Sequence, residues 1–507
     1  MLVRPTLLLF AALLGPRLAW AQPMAEPCDA LQAAPLAGGR ILGATAVAPG
    51  EFAPPLPATQ AAAAISVFGN LPAFCRVQAA LTPTPDSDIR IEVWMPTAGW
   101  NGRLQVVGNG GFAGSLGYPQ LAAALAAGYV AAATDTGHSG GDPAFMQGQP
   151  ERVIDFAHRA VHELAVAAKA LSARFYGEGP RLSYFNGCST GGRQALTAAQ
   201  RYPADFDGIV AGAPANNTVR MTSMQLWSGL AAQDDQAAAL ADAQRAALHT
   251  AVLAACDLQD GVGDGVLENP AACDVDPRQL ACPAADPAIC LSEAQVAAAR
   301  RLYAGPTNPR TGESIFPGLA RGSETGWDAL GGRQPFAYAL GMWRQALLKD
   351  PGWDHRQLDF DLMITEAQQA AERTGLQAVN ANLAPFFDRG GKLLLYHGWN
   401  DPLISPFNSV DYYTRVLQTT PGQPGDAIRL FMMPGVNHCA GGSGPDTWDK
   451  MAVLDAWRSG GEAPTRIVAA RVKDGETERT RPLCAYPQVA TYTGSGSTDD
   501  ATHFVCQ

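Results

Sequence analysis

The chain has 507 residues, 47% of them hydrophobic and 16% charged, too apolar for a disordered chain and enough for one large core or two smaller ones. Its net charge of −11, with no basic run, argues against a nucleic-acid partner, because binding the phosphate backbone takes clustered Lys and Arg. Only the N-terminus is apolar over a long stretch, and Arg17 interrupts it, so no membrane span is expected.

That first stretch reads as an export leader. Met1 to Arg4 give a positive start, Thr6 to Leu14 an apolar run, and Ala19-Trp20-Ala21 a small-x-small cleavage site. Residues 1–21 are therefore expected to be removed, and the protein to be secreted or periplasmic; an uncleaved anchor is the alternative. Ten cysteines, an even number with no Cys-x-x-Cys pair, agree with an oxidising compartment and disulfides rather than zinc. Spacing alone leaves their partners open.

The segment 22–215 alternates strand and helix signals. Ile89, Ile91, Val93 and Met95 have the period of a half-buried strand. Leu104 to Val107 is a short apolar run that ends in Gly108-Asn109-Gly110-Gly111. Tyr129 to Ala133 is another, closing on Asp135. Phe156 to Phe175 carries Ala160, Leu164, Ala168 and Leu171 at helical spacing. Leu182 to Phe185 reads as a strand, Ala195 to Gln200 as a helix, and Gly208 to Ala211 as a buried strand. Such alternation predicts an α/β fold, a parallel sheet with helices on both faces.

Between that strand and helix lies Gly187-Cys188-Ser189-Thr190-Gly191-Gly192, a Gly-x-Ser-x-Gly elbow in the context it requires. The turn strains the serine backbone and presents its hydroxyl at a helix N-terminus, where backbone N–H groups can stabilise an oxyanion. Ser189 is the expected nucleophile. One oxyanion donor is assigned to Thr190 and the other to Gly111 or its neighbour Gly110. A glycine-rich turn with an ordinary hydroxyl is the bland alternative. Gly108-x-Gly110-x-x-Ala113 with Asp135 also matches a dinucleotide fingerprint, a weak signal in an exported protein.

The segment 216–380 is rich in Ala, Asp, Gly and Pro and predicts an inserted, mainly helical and loop-rich domain. Within it, Asp257, Asp260 and Asp264 fall in eight residues separated by glycines, a spacing able to converge on a hard cation such as Ca²⁺. A solvated acidic loop is the alternative. Trp227, Trp327, Phe336, Trp343 and Ile404 are candidates for an apolar substrate slot, although such side chains more often form core.

In the segment 381–507 the strand signals resume at Lys392 to Tyr396, Ile428 to Met433 and Ile467 to Val472. The first runs into His397-Gly398-Trp399-Asn400-Asp401, the second into Pro434-Gly435-Val436-Asn437-His438-Cys439. Asp401 and His438 thus follow Ser189 in the order acid, then histidine, that the elbow predicts. His438 is expected to act as base, with Asp401 fixing its tautomer. Cys188 precedes the nucleophile and Cys439 follows the base. A bond between them would hold their Cα atoms about 5.5 Å apart and preorganise the pair.

The elbow, His397-Gly398-Trp399-Asn400-Asp401, Asn437-His438-Cys439, Gly108-Asn109-Gly110-Gly111 and the distribution of all ten cysteines resemble the tannase and feruloyl esterase family, across essentially the whole mature chain. The resemblance implies an α/β-hydrolase core with a large lid, and a serine carboxylesterase acting on small esters of phenolic acids. Hydrolysis of mono(2-hydroxyethyl) terephthalate is the second activity it implies. That substrate would call for a cation such as Arg321, Arg333 or Arg344. A hydrolase-fold binding module without catalysis is the alternative from another class. The resemblance also implies a structural Ca²⁺ in the lid, held by Asp257, Asp260 and Asp264 side chains and the carbonyls of Val262 and Val266. It implies the pairs Cys28–Cys75, Cys188–Cys439, Cys256–Cys273, Cys282–Cys290 and Cys484–Cys506, and substrate contacts at Trp327, Ile404 and His397.

Overall fold

The computed structural model describes residues 26–55, 67–283, 286 and 288–507; the leader expected at 1–21 lies outside them. Seven strands of the main sheet come first: β1 (Gly39–Val47), β2 (Phe74–Leu81), β3 (Ile89–Pro96), β4 (Arg103–Val107), β5 (Val130–Thr134), β6 (Leu182–Cys188) and β7 (Gly208–Gly212). Two more, β8 (Lys392–Gly398) and β9 (Ile428–Met433), follow after a long excursion. The spatial order is β1-β2-β3-β5-β4-β6-β7-β8-β9. The pairs β1–β2, β2–β3 and β3–β5 are antiparallel, and every pair from β5–β4 to β8–β9 is parallel. This is the α/β-hydrolase-like architecture expected.

Helices α1 (Tyr118–Ala126), α2 (Ala160–Tyr176) and α3 (Thr190–Arg201) lie before the excursion. It carries α4 (Thr218–Asp234), α5 (Asp242–Cys256), α6 (Glu293–Ala304) and α7 (Leu362–Thr374), and α8 (Phe407–Thr419) and α9 (Lys450–Arg458) come after it. β5 and β7 are buried along their whole length, as parallel strands covered on both faces must be. Their side chains alternate between two cores. Ile209, Ala211, Leu393 and Leu395 pack with Leu164 of α2, Leu196 of α3 and Val416 of α8. Val210, Leu394 and Tyr396 pack with Leu121 and Leu125 of α1 and Leu454 of α9. Each fully buried leucine contributes about 1.5–3 kcal/mol.

Between β7 and β8 the described residues contribute no strand to the sheet, only helices, 3-10 turns and two isolated bridges. The sequence segment Ile467–Val472 does not join the main sheet either. It belongs to β10 (Arg466–Lys473), which pairs with β11 (Glu476–Cys484) in a separate hairpin. The turn between them is Asp474-Gly475, both at positive φ (51° and 84°), the pattern that favours a two-residue hairpin. A short ribbon of β12 (Ala490–Tyr492) and β13 (Phe504–Cys506) completes the C-terminus. All ten cysteines pair as the family resemblance implied. Five disulfides fit an oxidising compartment. No helix among the described residues is long and apolar enough to cross a membrane.

Candidate active site

Ser189 stands between the end of β6 and the first residue of α3, with φ 64° and ψ −121°. That conformation is strained for a non-glycine residue and is the mark of a nucleophile elbow. The elbow closes because its neighbours are small. A Cβ on Gly187 would stand 2.7 Å from the Gly191 carbonyl carbon, and one on Gly192 would stand 2.3 Å from the Gly212 oxygen. Ser189 N–H donates to the Gly212 carbonyl at 3.0 Å, which ties the turn to β7.

Asp401 lies just past β8 and is fully buried. Its Oδ2 accepts from His438 Nδ1 at 2.6 Å and from His397 Nε2 at 3.0 Å. Its Oδ1 accepts the N–H groups of Leu403 at 2.8 Å and Ile404 at 3.0 Å. Burial alone would raise the carboxyl pKa. The charge of His438 and the hydrogen bonds from both histidines reverse this and hold it well below the usual carboxylate range. Burial likewise pushes His438 down, but the charge and hydrogen bond of Asp401 outweigh it and its pKa is raised. With Nδ1 committed to Asp401, Nε2 of His438 is the nitrogen free to serve as base.

Ser189 and His438 line one cavity of about 680 Å³. Cys188 and Cys439 are bonded with Cα atoms 6.0 Å apart, across a sequence separation of 251. The residues flanking that bond are Ser189 and His438, so the crosslink constrains both at once. Closing so long a loop is worth up to about 5 kcal/mol in the chain-entropy model.

Gly110 and Gly111 face open space, where an added Cβ would meet nothing within 4 Å. Gly111 has φ 53°, and its carbonyl accepts the Thr190 hydroxyl at 3.0 Å, joining the two expected oxyanion residues. Thr190 is the first residue of α3, so its own N–H has no intrahelical acceptor. The glycine loop is pinned to α3 by a reciprocal pair. Asn109 N–H donates to Gln194 Oε1 at 3.0 Å, and Gln194 Nε2 donates to Asn109 Oδ1 at 3.1 Å. Sequence reasoning missed Gln194, which has no motif of its own. The dinucleotide alternative finds no support. Asp135 is buried and its Oδ1 accepts the N–H groups of Arg90 and Gly137, closing a turn.

Two expected substrate contacts are corrected. His397 is fully buried behind Asp401: its Nε2 reaches Asp401 and the Ile404 carbonyl, and its Nδ1 meets the Ser409 hydroxyl at 2.7 Å. It orients the acid and does not touch the cavity. Trp327 is 1% exposed, its Nε1 donates to Ser323 Oγ, and its ring packs edge-on against Tyr303. It backs the wall that contains Met221 and Ile404 without lining the cavity. Of the five slot candidates, Phe336 and Ile404 line the cavity; Trp343 is buried against Trp353, and Trp227 lies under Arg301. Met221, Tyr338 and Leu403 complete the apolar side, and no sequence signal singled them out. Arg321, Arg333 and Arg344 do not line it.

The acidic loop is distant in sequence from these groups. Asp257 accepts the N–H groups of Gly265 and Val266, Asp260 that of Val262, and Asp264 that of Val266. Asp264 is also paired with Arg479 and Arg481 of β11, and among the described residues no trio of such side chains converges as a metal-holding group. The donor chemistry still fits a hard cation. Asp260 is buried, its Oδ2 has no partner, and burial together with the charges of Asp264 and Asp257 pushes its pKa up to about 6. The neighbouring Glu268 is buried too.

Residues 75–507 match the family model described as tannase and feruloyl esterase. The chain is 36% identical to an uncharacterised esterase of Xanthomonas campestris, over 94% of this chain and 91% of that one. It is 34% identical to the mono(2-hydroxyethyl) terephthalate hydrolase of Piscinibacter sakaiensis, over 89% and 86%. The crystal structure of feruloyl esterase B from Aspergillus oryzae superposes with a TM-score of 0.86 at 30% identity, covering 95% of this chain and 99% of that one. A chain with this elbow and this sheet, matched over nearly its whole length, belongs to the tannase and feruloyl esterase family of carboxylic ester hydrolases.

Proposed function

We propose that the protein is an exported serine carboxylesterase that hydrolyses esters of aromatic, phenolic acids through Ser189, His438 and Asp401. The observation that carries this reading is the strained Ser189 sharing one cavity with His438, whose Nδ1 is held by buried Asp401. His438 Nε2 takes the Ser189 proton as Oγ attacks the ester carbonyl. The oxyanion forms against the N–H groups of Thr190 and Gly111. His438 then protonates the departing alcohol, and water, deprotonated by the same nitrogen, releases the acid. Met221, Phe336, Leu403 and Ile404 supply an apolar wall for the aromatic acyl group. The segment 216–380 acts as the lid over that wall.

A panel of methyl ferulate, methyl gallate, mono(2-hydroxyethyl) terephthalate and a short aliphatic ester tests the acyl preference. The phenolic esters are expected to exceed the aliphatic ester in kcat/KM by about 100-fold, the order that burying an aromatic ring supports. Equal rates would remove the aromatic assignment. The terephthalate monoester ranks lower, because among the described residues no arginine lines the cavity.

The acidic loop is assigned to a structural Ca²⁺, held by Asp257, Asp260 and Asp264 and the carbonyls of Val262 and Val266. The ion would neutralise the loop and lock it to β11, away from the chemistry. EDTA is expected to lower Tm by several degrees, with calcium restoring it. An unchanged Tm, and no calcium in the dialysed protein by elemental analysis, would withdraw the assignment.

A further inference from the structure

The cavity has a second arm of different chemistry. One side of Ser189 is walled by Met221, Phe336, Leu403 and Ile404, while the other is lined by Gln105, Gln120, Asn186 and Lys450. The sheet explains the division. Gln105 and Val107 pair in register with Tyr184 and Asn186, and these positions share a face with Tyr396. That face is covered by α1 and α9, and Lys450 is the first residue of α9. The polar arm therefore runs past the nucleophile over the α1/α9 face, away from the segment between β7 and β8.

Lys450 is the unusual member. Its Nζ stands over the rings of Trp448 and Tyr396, 4.7 and 5.1 Å from their centroids, and has no carboxylate within ion-pair distance among the described residues. The nearby acids are engaged elsewhere: Asp455, which shares a pocket wall with Lys450, Gln105 and Asn186, pairs with Arg103 and accepts the Tyr184 hydroxyl. Asp449 caps α9 through the Ala452 N–H, and Asp446 accepts the Gly441 N–H and the Thr447 hydroxyl. The amides of Gln105 and Asn186 also lack hydrogen-bond partners among the described residues, although Gln105 is only 5% exposed. A half-buried ammonium without a carboxylate partner and two amides without protein partners thus line one cavity, where an anion can receive charge-assisted hydrogen bonds from them.

We propose that Lys450, with Gln105 and Asn186, forms a subsite for a carboxylate carried on the alcohol part of the ester. The natural substrates are then aromatic acyl esters of hydroxy acids. This rests on the aromatic-ester reading above: the apolar arm takes the acyl ring, which leaves the polar arm to the leaving group. A neutral polyol would satisfy the amides and leave the ammonium unpaired.

The test uses one acyl group on three alcohols: methanol, a hydroxy acid, and the carboxamide of that hydroxy acid. The wild-type enzyme is expected to favour the hydroxy-acid ester over its carboxamide by about 10- to 100-fold in kcat/KM, chiefly through KM, the size of a charge-assisted hydrogen bond. Raising the salt concentration shrinks that ratio. Lys450→Met abolishes it and Lys450→Arg retains part of it. Equal rates on the acid and the carboxamide in the wild type would overturn the proposal without any variant. So would a Lys450→Met enzyme that keeps the preference, or one whose loss appears only with a carboxylate on the acyl ring. Failure to cleave methyl ferulate would instead count against the aromatic-ester reading, since the acid-to-carboxamide ratio can be read on any acyl group accepted.

Discussion

Ser189→Ala is expected to lower kcat on an aryl ester by roughly 100,000-fold or more, with Tm unchanged. The loss is large because no other group can take over covalent attack. What remains is the stabilisation that oxyanion donors and substrate binding give to direct attack by water, about 1,000- to 10,000-fold over solution in comparable enzymes. Stability is retained because the elbow is held by its backbone. The Ser189 N–H bonds the Gly212 carbonyl, and its own carbonyl accepts from Arg193 at 3.0 Å and Ala215 at 3.1 Å. Alanine keeps the same Cβ at the same positive φ, so the strain is the same in both proteins. Residual activity within tenfold of wild type would mean that the hydroxyl is not the nucleophile.

Asp401→Asn is expected to cost about 1,000- to 10,000-fold in kcat, and to change the pH profile as well. Four donors point at this carboxylate: His438, His397 and the N–H groups of Leu403 and Ile404. An amide offers one acceptor oxygen where the carboxylate offers two, so at least one N–H would face an NH₂ group. Loss of the His438 bond removes the contact that sets the tautomer with Nε2 unprotonated. In the proposed mechanism His438 must be neutral to accept the serine proton. Because Asp401 raises its pKa, kcat/KM falls with decreasing pH from a point above the ordinary imidazole value near 6.5. The Asn variant lacks the charge that raises it, so its acid limb moves to lower pH. Stability follows the same shifts with opposite signs. The depressed Asp401 pKa contributes stability that is complete above the unfolded carboxyl value and is lost as pH falls through the folded one. The raised His438 pKa contributes stability below about 6.5 that is lost as pH rises through the folded value. A variant with wild-type kcat and an unmoved acid limb would show that Asp401 does not act on His438.

The candidate site was legible in the sequence because each group sits at a strand end with a distinctive neighbour. Ser189 follows β6 inside a glycine cluster that close backbone approach demands. Asp401 and His438 follow β8 and β9, two apolar runs that single-residue periodicity finds readily. The edge strands were harder. In β2, Arg76 and Gln78 break the apolar pattern because both point at Glu92, Arg76 Nε at 2.9 Å and Gln78 Nε2 at 3.1 Å. In β1 every position is at least partly exposed, and the register shifts at Leu42, between Ile41 and Gly43. The strand read at Ile467–Val472 is present, and the Asp474-Gly475 turn pairs it in a separate hairpin outside the main sheet. The substrate side was least legible. His397 and Trp327 are conspicuous residue types near the right motifs, yet both are consumed by internal hydrogen bonds. Met221 and Leu403, which do line the cavity, look like any other apolar residue. Lys450 is one lysine at one helix start, and only the fold sets it beside Gln105 and Asn186.

The most direct test of the account is to capture the covalent intermediate. The enzyme is mixed with a p-nitrophenyl ester of a phenolic acid, quenched in acid during the first turnover, and digested for mass spectrometry. The account predicts a burst of about one equivalent of p-nitrophenol per enzyme, and the acyl mass on the peptide containing Ser189. Steady hydrolysis in the Ser189→Ala enzyme at a comparable rate, or an acyl group found on another residue, would contradict it.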